Sequence, residues 1–330
     1  MTKTYDVVGV GNAIVDVLAS ASDAFLGENG IDKGIMQLID TARATELYAA
    51  MGPAKEISGG SAANTVAGLA ALGAKTAYVG KVKDDQLGDV FAHDLVAQGA
   101  VFNVPRAPRN HSDETGRSLI LVTPDGERSM NTYLGVSEFL GPDDIDTGMM
   151  ADADWLYLEG YRFDGPDSHA AFAKAIEACR GADGKVSVTL SDPFCVERHR
   201  DAFKTMIADH IDLLFCNEHE LMSLYQTDDL ETALAATAQD CAMTACTLGE
   251  KGAVIVSGSD RVSVKAEATK VVDATGAGDL FASGFLYGIV SGKDLATSGR
   301  MGCVAAGEVI SHIGARPDQD LKELFARAGL

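Results

Sequence analysis

The 330-residue chain is short of positive charge: 27 Lys and Arg stand against 48 Asp and Glu, a formal net charge of −21. Nonspecific nucleic-acid binding needs a basic surface, so that class is disfavoured. An anionic small molecule is still allowed, because a site can be locally positive on an acidic protein. Cysteine is also scarce. Cys179, Cys195, Cys216, Cys241, Cys246 and Cys303 form no CxxC pair, and no histidine cluster accompanies them. That argues against structural zinc and a disulfide framework, and for reduced core thiols in a cytoplasmic protein. No apolar run approaches the about 18 residues of a membrane span. The nearest, residues 280–290, is interrupted by Gly284 and Gly288. The opening MTKTYDVVGVGN enters a strand-like run without the basic and apolar regions of a secretory leader. A Walker-type phosphate loop is absent, and GVGNAI lacks the third glycine of a dinucleotide-binding turn.

What is present is an alternation of strand and helix patterns. YDVVGVG (5–11) is a β-rich run ending in glycine, and SAANTVAGLAALG (61–73) has helical spacing and stops at Gly73. KTAYVGKV (75–82) returns to strand, and QLGDVFAHDLVAQG (86–99) reads as an amphipathic helix. WLYLEG, HAAFAKAIEACRG, KVSVTLSDP, IDLLFCN, AMTACTLG and GAVIVSG continue the pattern between residues 155 and 258. This predicts an α/β fold with a mostly parallel sheet covered on both faces, its ligand beyond the carboxyl ends of the strands. Residues 116–134 break the alternation as strand, Pro124-Asp125-Gly126 turn and strand, which suggests a small separate sheet acting as a lid. With no repeat, low-complexity tract or proline-rich linker, one domain over 1–330 with a lid is expected, the lid drawn from segments near 14–40 and 100–135.

Five stretches could carry chemistry. In VDATGAGDLFASGFL, a helix opened by Gly276-Ala277-Gly278 would aim free N–H groups and its positive dipole end at an anion. Asp279 in that first turn would repel a resting phosphate, but suits the removal of a proton from a hydroxyl attacking phosphorus. The plainer alternative is that Asp279 only complements the dipole. GGSAAN brings Gly59, Gly60, Ser61 and Asn64 to a helix start; Ser61 is a good N-cap, and taken alone a capped helix explains it. GNAIVDV places Asn12 and Asp16 after the first strand, where a carboxylate could hold two vicinal hydroxyls or simply be solvated. CNEHE sets Asn217 and Glu220 three apart, sharing a helix face, as hard oxygen ligands for Mg²⁺ through its waters; His219 between them faces solvent. TLGEKGA is a glycine turn holding Thr247 and Gly249.

In this order the five stretches resemble the ribokinase-like (PfkB) family of carbohydrate and nucleoside kinases, over essentially the whole chain from GVGN to HIGARP. The resemblance implies a three-layer α/β/α domain with a mostly parallel central sheet and a small β-sheet lid, and an ATP- and Mg²⁺-dependent phosphotransferase acting on an alcohol. It implies Asp279 as catalytic base, with Gly276, Ala277 and Gly278 as the anion hole. Asp16, Gly59, Gly60 and Asn64, with Asn12, fall where the family holds the sugar. Asn217, Thr247, Gly249 and Thr275 fall near the ATP phosphates or nucleotide, and Glu220 where Mg²⁺ is organised. Asp273 and Thr275 lie where some members bind a monovalent cation such as K⁺.

Several stretches are similar to the adenosine kinase branch: GNAIVDV, the hairpin GERSMNTYLG, LSDPF and DLLFCNEHE. There Arg128 would reach the phosphates on lid closure, and Gln37 and Tyr161 would lie near the base. Tyr161-Arg162-Phe163 replaces a clear aromatic pair, leaving Tyr161 or Phe163 to stack on a purine. The implied reaction is phosphorylation of the 5′-hydroxyl of adenosine. The alternatives are a sugar kinase acting on ribose, fructose or 2-keto-3-deoxygluconate, and a non-catalytic nucleoside sensor. Partners are small molecules, with no nucleic acid or membrane; a monomer and a lid-mediated dimer both stay open.

Overall fold

The computed structural model describes residues 3–330. Its strands in chain order are β1 (Tyr5–Val10), β2 (Ile14–Ser20), β3 (Met36–Leu38), β4 (Lys55–Ser58), β5 (Thr76–Val79), β6 (Thr115–Val122), β7 (Arg128–Gly135), β8 (Ala153–Glu159), β9 (Lys185–Thr189), β10 (Leu213–Asn217), β11 (Met243–Thr247), β12 (Ala253–Ser257) and β13 (Asp260–Val264). The helices are α1 (Asp23–Glu28), α2 (Thr41–Ala50), α3 (Ser61–Ala71), α4 (Gln86–Ala97), α5 (Thr147–Ala151), α6 (Ser168–Arg180), α7 (Pro193–His210), α8 (Glu218–Tyr225), α9 (Leu230–Asp240), α10 (Ala277–Val290), α11 (Leu295–Val309) and α12 (Leu321–Arg327).

The large sheet has the order β13-β12-β11-β10-β9-β8-β1-β5. From β5 to β11 all its neighbours pair in parallel, and β12 and β13 extend it antiparallel. Its inner strands are apolar on both faces, as a sheet covered on both sides requires. Along β8 the residues alternate: Leu156 and Leu158 join Phe172 of α6 and Phe203 of α7, whereas Trp155 and Tyr157 join Val66 of α3 and Phe285 of α10. The result is the expected α/β/α arrangement. Local signals set the helix starts. Asp85 accepts from the Gly88 N–H at the head of α4, and Asp192 caps α7 with Pro193 at its first position. The glycines that interrupt the apolar run of α10 serve packing: a Cβ on Gly284 would lie 2.4 Å from the Met301 carbonyl of α11. Among the described residues no helix is long and apolar enough to cross a membrane.

The second sheet has the order β3-β7-β6-β2-β4. The expected hairpin is present, with β6 and β7 paired antiparallel from Thr115–Gly135 to Val122–Arg128. Its boundaries differ from the sequence reading in two places. The sheet gains β4, a short and largely exposed KEIS strand with no apolar signal of its own. Residues 100–114 contribute no strand to it; Val101 and Ala107 instead bridge to Ala77 and Lys83 beside the large sheet. Strand alternation gives the second sheet two faces. One, through Val17, Ala19, Leu119 and Leu121, packs on Leu26 of α1 and Leu47 of α2. The other looks onto the carboxyl ends of the large sheet.

Candidate active site

Between those two surfaces lies a cavity of about 560 Å³. Gly276, the N-cap of α10, has φ +77°, and a Cβ there would also meet Ala315 at 2.8 Å, so only glycine fits without strain. Gly276, Ala277, Gly278 and Asp279 all face the cavity, with the positive end of the 14-residue helix behind them. Two donors of α3 fix the Asp279 carboxylate. The Ser61 hydroxyl donates at 2.6 Å and the Asn64 Nδ2 at 2.9 Å. Burial pushes Asp279 up to about 6, against the opposing pull of those two bonds and of Arg316 and Arg128.

Ser61 is therefore not the N-cap that its sequence position suggests. Gly60, with φ +91°, occupies the cap, and Ser61 is the first helical residue with its hydroxyl turned to Asp279. The missing cap is supplied from across the sheet: Glu159 accepts from the Ala62 N–H at 2.8 Å. Glu159 also accepts from the backbone and side chain of Asn12. The Asn12 side-chain oxygen Oδ1 in turn accepts from Ser137 and Arg162, each at 3.1 Å. Asn12 lines the cavity floor, but its side chain is committed to these internal partners rather than presented freely to a substrate. Burial pushes Glu159 up to about 7.

On the facing sheet, Asp16 points into the cavity and burial raises it to about 7. Gly60 and Asn64 line the same region. Gly59 sits behind Asp16, where a Cβ would lie 2.3 Å from its carboxyl carbon, so Gly59 shapes the site without facing it. The wall around Asp16 is largely apolar, with Ile14, Met36, Leu38, Ile120, Met130 and Leu134, and its polar members are Ser118, the register partner of Asp16, and Thr132. Gln37 is misplaced by the sequence reading. Period-two alternation sends Met36 and Leu38 inward, and Gln37 outward to donate to Asn131. Tyr161 lines the cavity, whereas Phe163 is buried against Phe172 and Phe203 in the core, so of the two aromatics only Tyr161 is available to a ligand.

Arg128, at the start of β7, reaches across to the segment that precedes α10. Its Nε lies 3.0 Å from Asp273 Oδ1, and its Nη1 donates to the Thr275 hydroxyl. Asp273 also accepts from the Thr275 amide at 2.9 Å, from its hydroxyl, and from the Gly314 amide at 3.0 Å. Protein donors thus fill the Asp273 carboxylate.

At the other end, Asn217, Glu220, Thr247 and Gly249 line the cavity. Asn217 is the N-cap of α8 and Glu220 its third residue, so the two side chains meet as expected, with Asn217 Nδ2 donating to Glu220 at 2.6 Å. The Asn217 side chain accepts from the Glu220 amide at 2.8 Å, and Glu220 accepts from the Asn217 amide at 2.9 Å, a reciprocal capping box. His219 is solvent-exposed as expected. Burial pushes Glu220 up to about 7, and the charges acting on it are the carboxylates of Asp192 and Asp279. A buried acid set among acids suits a cation. Among the described residues no group of three or more His, Cys, Asp or Glu could hold a metal, so a hard ion here would rely on waters and on ligand oxygens.

A helix start built to receive negative charge, a buried carboxylate beside it and a largely apolar pocket opposite define a group-transfer site. Comparison with known proteins identifies the class. The description "pfkB family carbohydrate kinase" fits residues 31–321, and the chain belongs to this family. It is accordingly a phosphotransferase with an alcohol group as acceptor, and the family implies ATP as the phosphate donor. An adenosine kinase from Sinorhizobium meliloti is 47% identical with a TM-score of 0.94, covering 99% of this chain and 100% of that one. A "probable sugar kinase protein" from Rhizobium etli is 49% identical with a TM-score of 0.95, covering 99% of each. An "uncharacterized sugar kinase" of Archaeoglobus fulgidus is 32% identical over 251 residues, which are 76% of this chain and 96% of that protein.

Proposed function

We propose that the chain transfers the γ-phosphoryl group of ATP to the 5′-hydroxyl of adenosine. The observation that carries this reading is the wall of Ile14, Met36, Leu38, Ile120, Met130 and Leu134 around Asp16. A free sugar has no flat apolar part to cover such a wall, whereas a nucleoside offers a base to the apolar side chains and two vicinal hydroxyls to Asp16. The S. meliloti adenosine kinase, alike over the full length, supports it.

In this reading Asp279 takes the proton of the 5′-hydroxyl as its oxygen bonds to the γ-phosphorus and the bond to the β-phosphate oxygen breaks, leaving AMP and ADP. An acid raised to about 6 is suited to the role, ionised at neutral pH yet basic enough to hold the proton. The amides at Gly276, Ala277 and Gly278 meet the developing phosphoryl charge. Arg128 adds a permanent cation from the second sheet, which acts as the lid that excludes water. Asp16, Gly60 and Asn64 hold the ribose, with Gly59 and Asn12 shaping that subsite and Tyr161 beside it. Asn217, Thr247, Gly249 and Thr275 receive the donor nucleotide. Glu220 would hold Mg²⁺ through water, and that ion supplies charge neutralisation to the phosphates when bound.

The test is turnover of Mg-ATP with adenosine, inosine, guanosine, ribose, fructose and 2-keto-3-deoxygluconate offered separately. A strong preference for adenosine is expected. Preference for a free sugar would replace this reading by the second one, a sugar kinase, which Ser118 and Thr132 beside Asp16 and the R. etli relative favour.

A further inference from the structure

Arg316 follows α11 in a segment that touches both halves of the site. The Gly314 amide is bonded to Asp273. A Cβ on Gly314 would lie 3.4 Å from Ile57, the register partner of Asp16 on β4. Ala315 packs against Gly276 at the head of α10. The next residue is Arg316. Its Nε, Nη1 and Nη2 are all buried, and none has a hydrogen-bond partner. A guanidinium carries five donors, and leaving them unmade in a buried place is costly. The groups whose charge acts on it are Asp16 most strongly, then Asp94 of α4, Tyr78 and Asp279.

We propose that Arg316 is a positioning residue for the acceptor: its unpartnered guanidinium is the counter-cation of Asp16 and acts on acceptor affinity through that carboxylate, without touching the acceptor. The inference rests on the reading of Asp16 as the ligand of the acceptor hydroxyls. Asp16 is backed by Gly59, which leaves its carboxylate no room to retreat. The charged groups facing Asp16 are Arg316, Asp279, Arg128 and Asp273, and of these Arg316 acts most strongly. Arg128 is already paired with Asp273, so Arg316 is the cation left to answer Asp16. Burial raises Asp16 to about 7 even with Arg316 in place. Without it the carboxyl would hold its proton to higher pH, and a protonated carboxyl cannot accept two hydroxyl donors.

The test is steady-state kinetics of the full chain with Mg-ATP and adenosine from about pH 6 to about 9, on Arg316→Met, Arg316→Lys, Asp16→Asn and the Asp16→Asn/Arg316→Met double variant. Methionine replaces the guanidinium without introducing a new unmet donor. Arg316→Met is expected to raise the KM for adenosine about fivefold at pH 7, because one unit added to a pKa of about 7 cuts the ionised fraction of Asp16 from about a half to about a tenth, and to recover toward pH 9. The KM for ATP should stay near the wild-type value. Lysine should restore most of the loss, and in the Asp16→Asn background Arg316→Met should add no further change. An unchanged adenosine KM in Arg316→Met, with a raised one in Asp16→Asn, would overturn the role of Arg316 alone. So would an equal loss from Arg316→Met in both backgrounds. An unchanged KM in Asp16→Asn would overturn the reading of Asp16 and this inference with it. If Arg316→Met does not fold, Arg316→Lys decides: a rise in its adenosine KM of about fivefold or more at pH 7, with a wild-type melting curve, would contradict the proposal.

Discussion

Asp279 owes its behaviour to two opposed influences, burial that favours the neutral acid and the Ser61 and Asn64 donors that favour the carboxylate. Because the base must start ionised, kcat at saturating adenosine and Mg-ATP should fall as pH drops through about 6, measurable as the acid limb of its pH–rate profile. Ser61→Ala removes a donor to the charged form, so that limb should move to higher pH; a limb that stays in place would separate Ser61 from the titration. Asp279→Asn should keep the fold and ATP binding while kcat falls at least about a hundredfold, the low end for a lost general base. Asp279 and the Gly276–Gly278 turn were legible in the sequence because their chemistry is local: a glycine turn, a helix start and an acid in its first turn. Ser61, Glu159 and Arg316 were not legible in those roles. Each acts on a partner far away in the chain, Ser61 on a residue 218 positions on and Glu159 on one 97 positions back, and spacing carries no trace of such contacts.

The elements follow the same division. Strands with strong apolar alternation and helices with caps were readable, as was the hairpin with its Pro-Asp-Gly turn. Lys55–Ser58 was missed because its place is set by pairing with β2 rather than by its own residues. Gln37 was assigned inward because sequence alone does not fix which face of a three-residue strand meets the cavity. The head of α8 makes a sharper test, since Glu220 both completes a capping box and is the proposed magnesium residue. Glutamine can serve the box but carries no charge. Glu220→Gln should therefore melt close to the wild-type temperature, whereas Glu220→Ala should lose about 1 kcal/mol of stability, typical of a broken cap. Both should need more Mg²⁺ for half-maximal activity. Equal melting of the two variants, or an unchanged magnesium requirement, would undo one half of that assignment.

Over the whole molecule, the site concentrates buried acids in a chain that already carries a net charge of −21. Asp16, Glu159 and Glu220 are raised to about 7 and Asp279 to about 6 by burial. The folded state therefore binds protons between about pH 4 and 7 that the unfolded chain releases, and stability falls as pH rises through that window. The melting temperature of the ligand-free protein should be higher near pH 5 than near pH 8, the reverse of the activity profile, and a scan of Tm against pH checks it. A site that costs stability when empty and ionised is compatible with one built around cationic and hydroxyl-bearing ligands. The most direct measurement of the central claim is ³¹P NMR of Mg-ATP and adenosine with the wild-type chain and with Asp279→Asn. The account predicts AMP and ADP appearing in equal amounts with the wild type, and at least about a hundredfold more slowly with the variant. ADP without AMP, or AMP formed equally fast by both proteins, would contradict it.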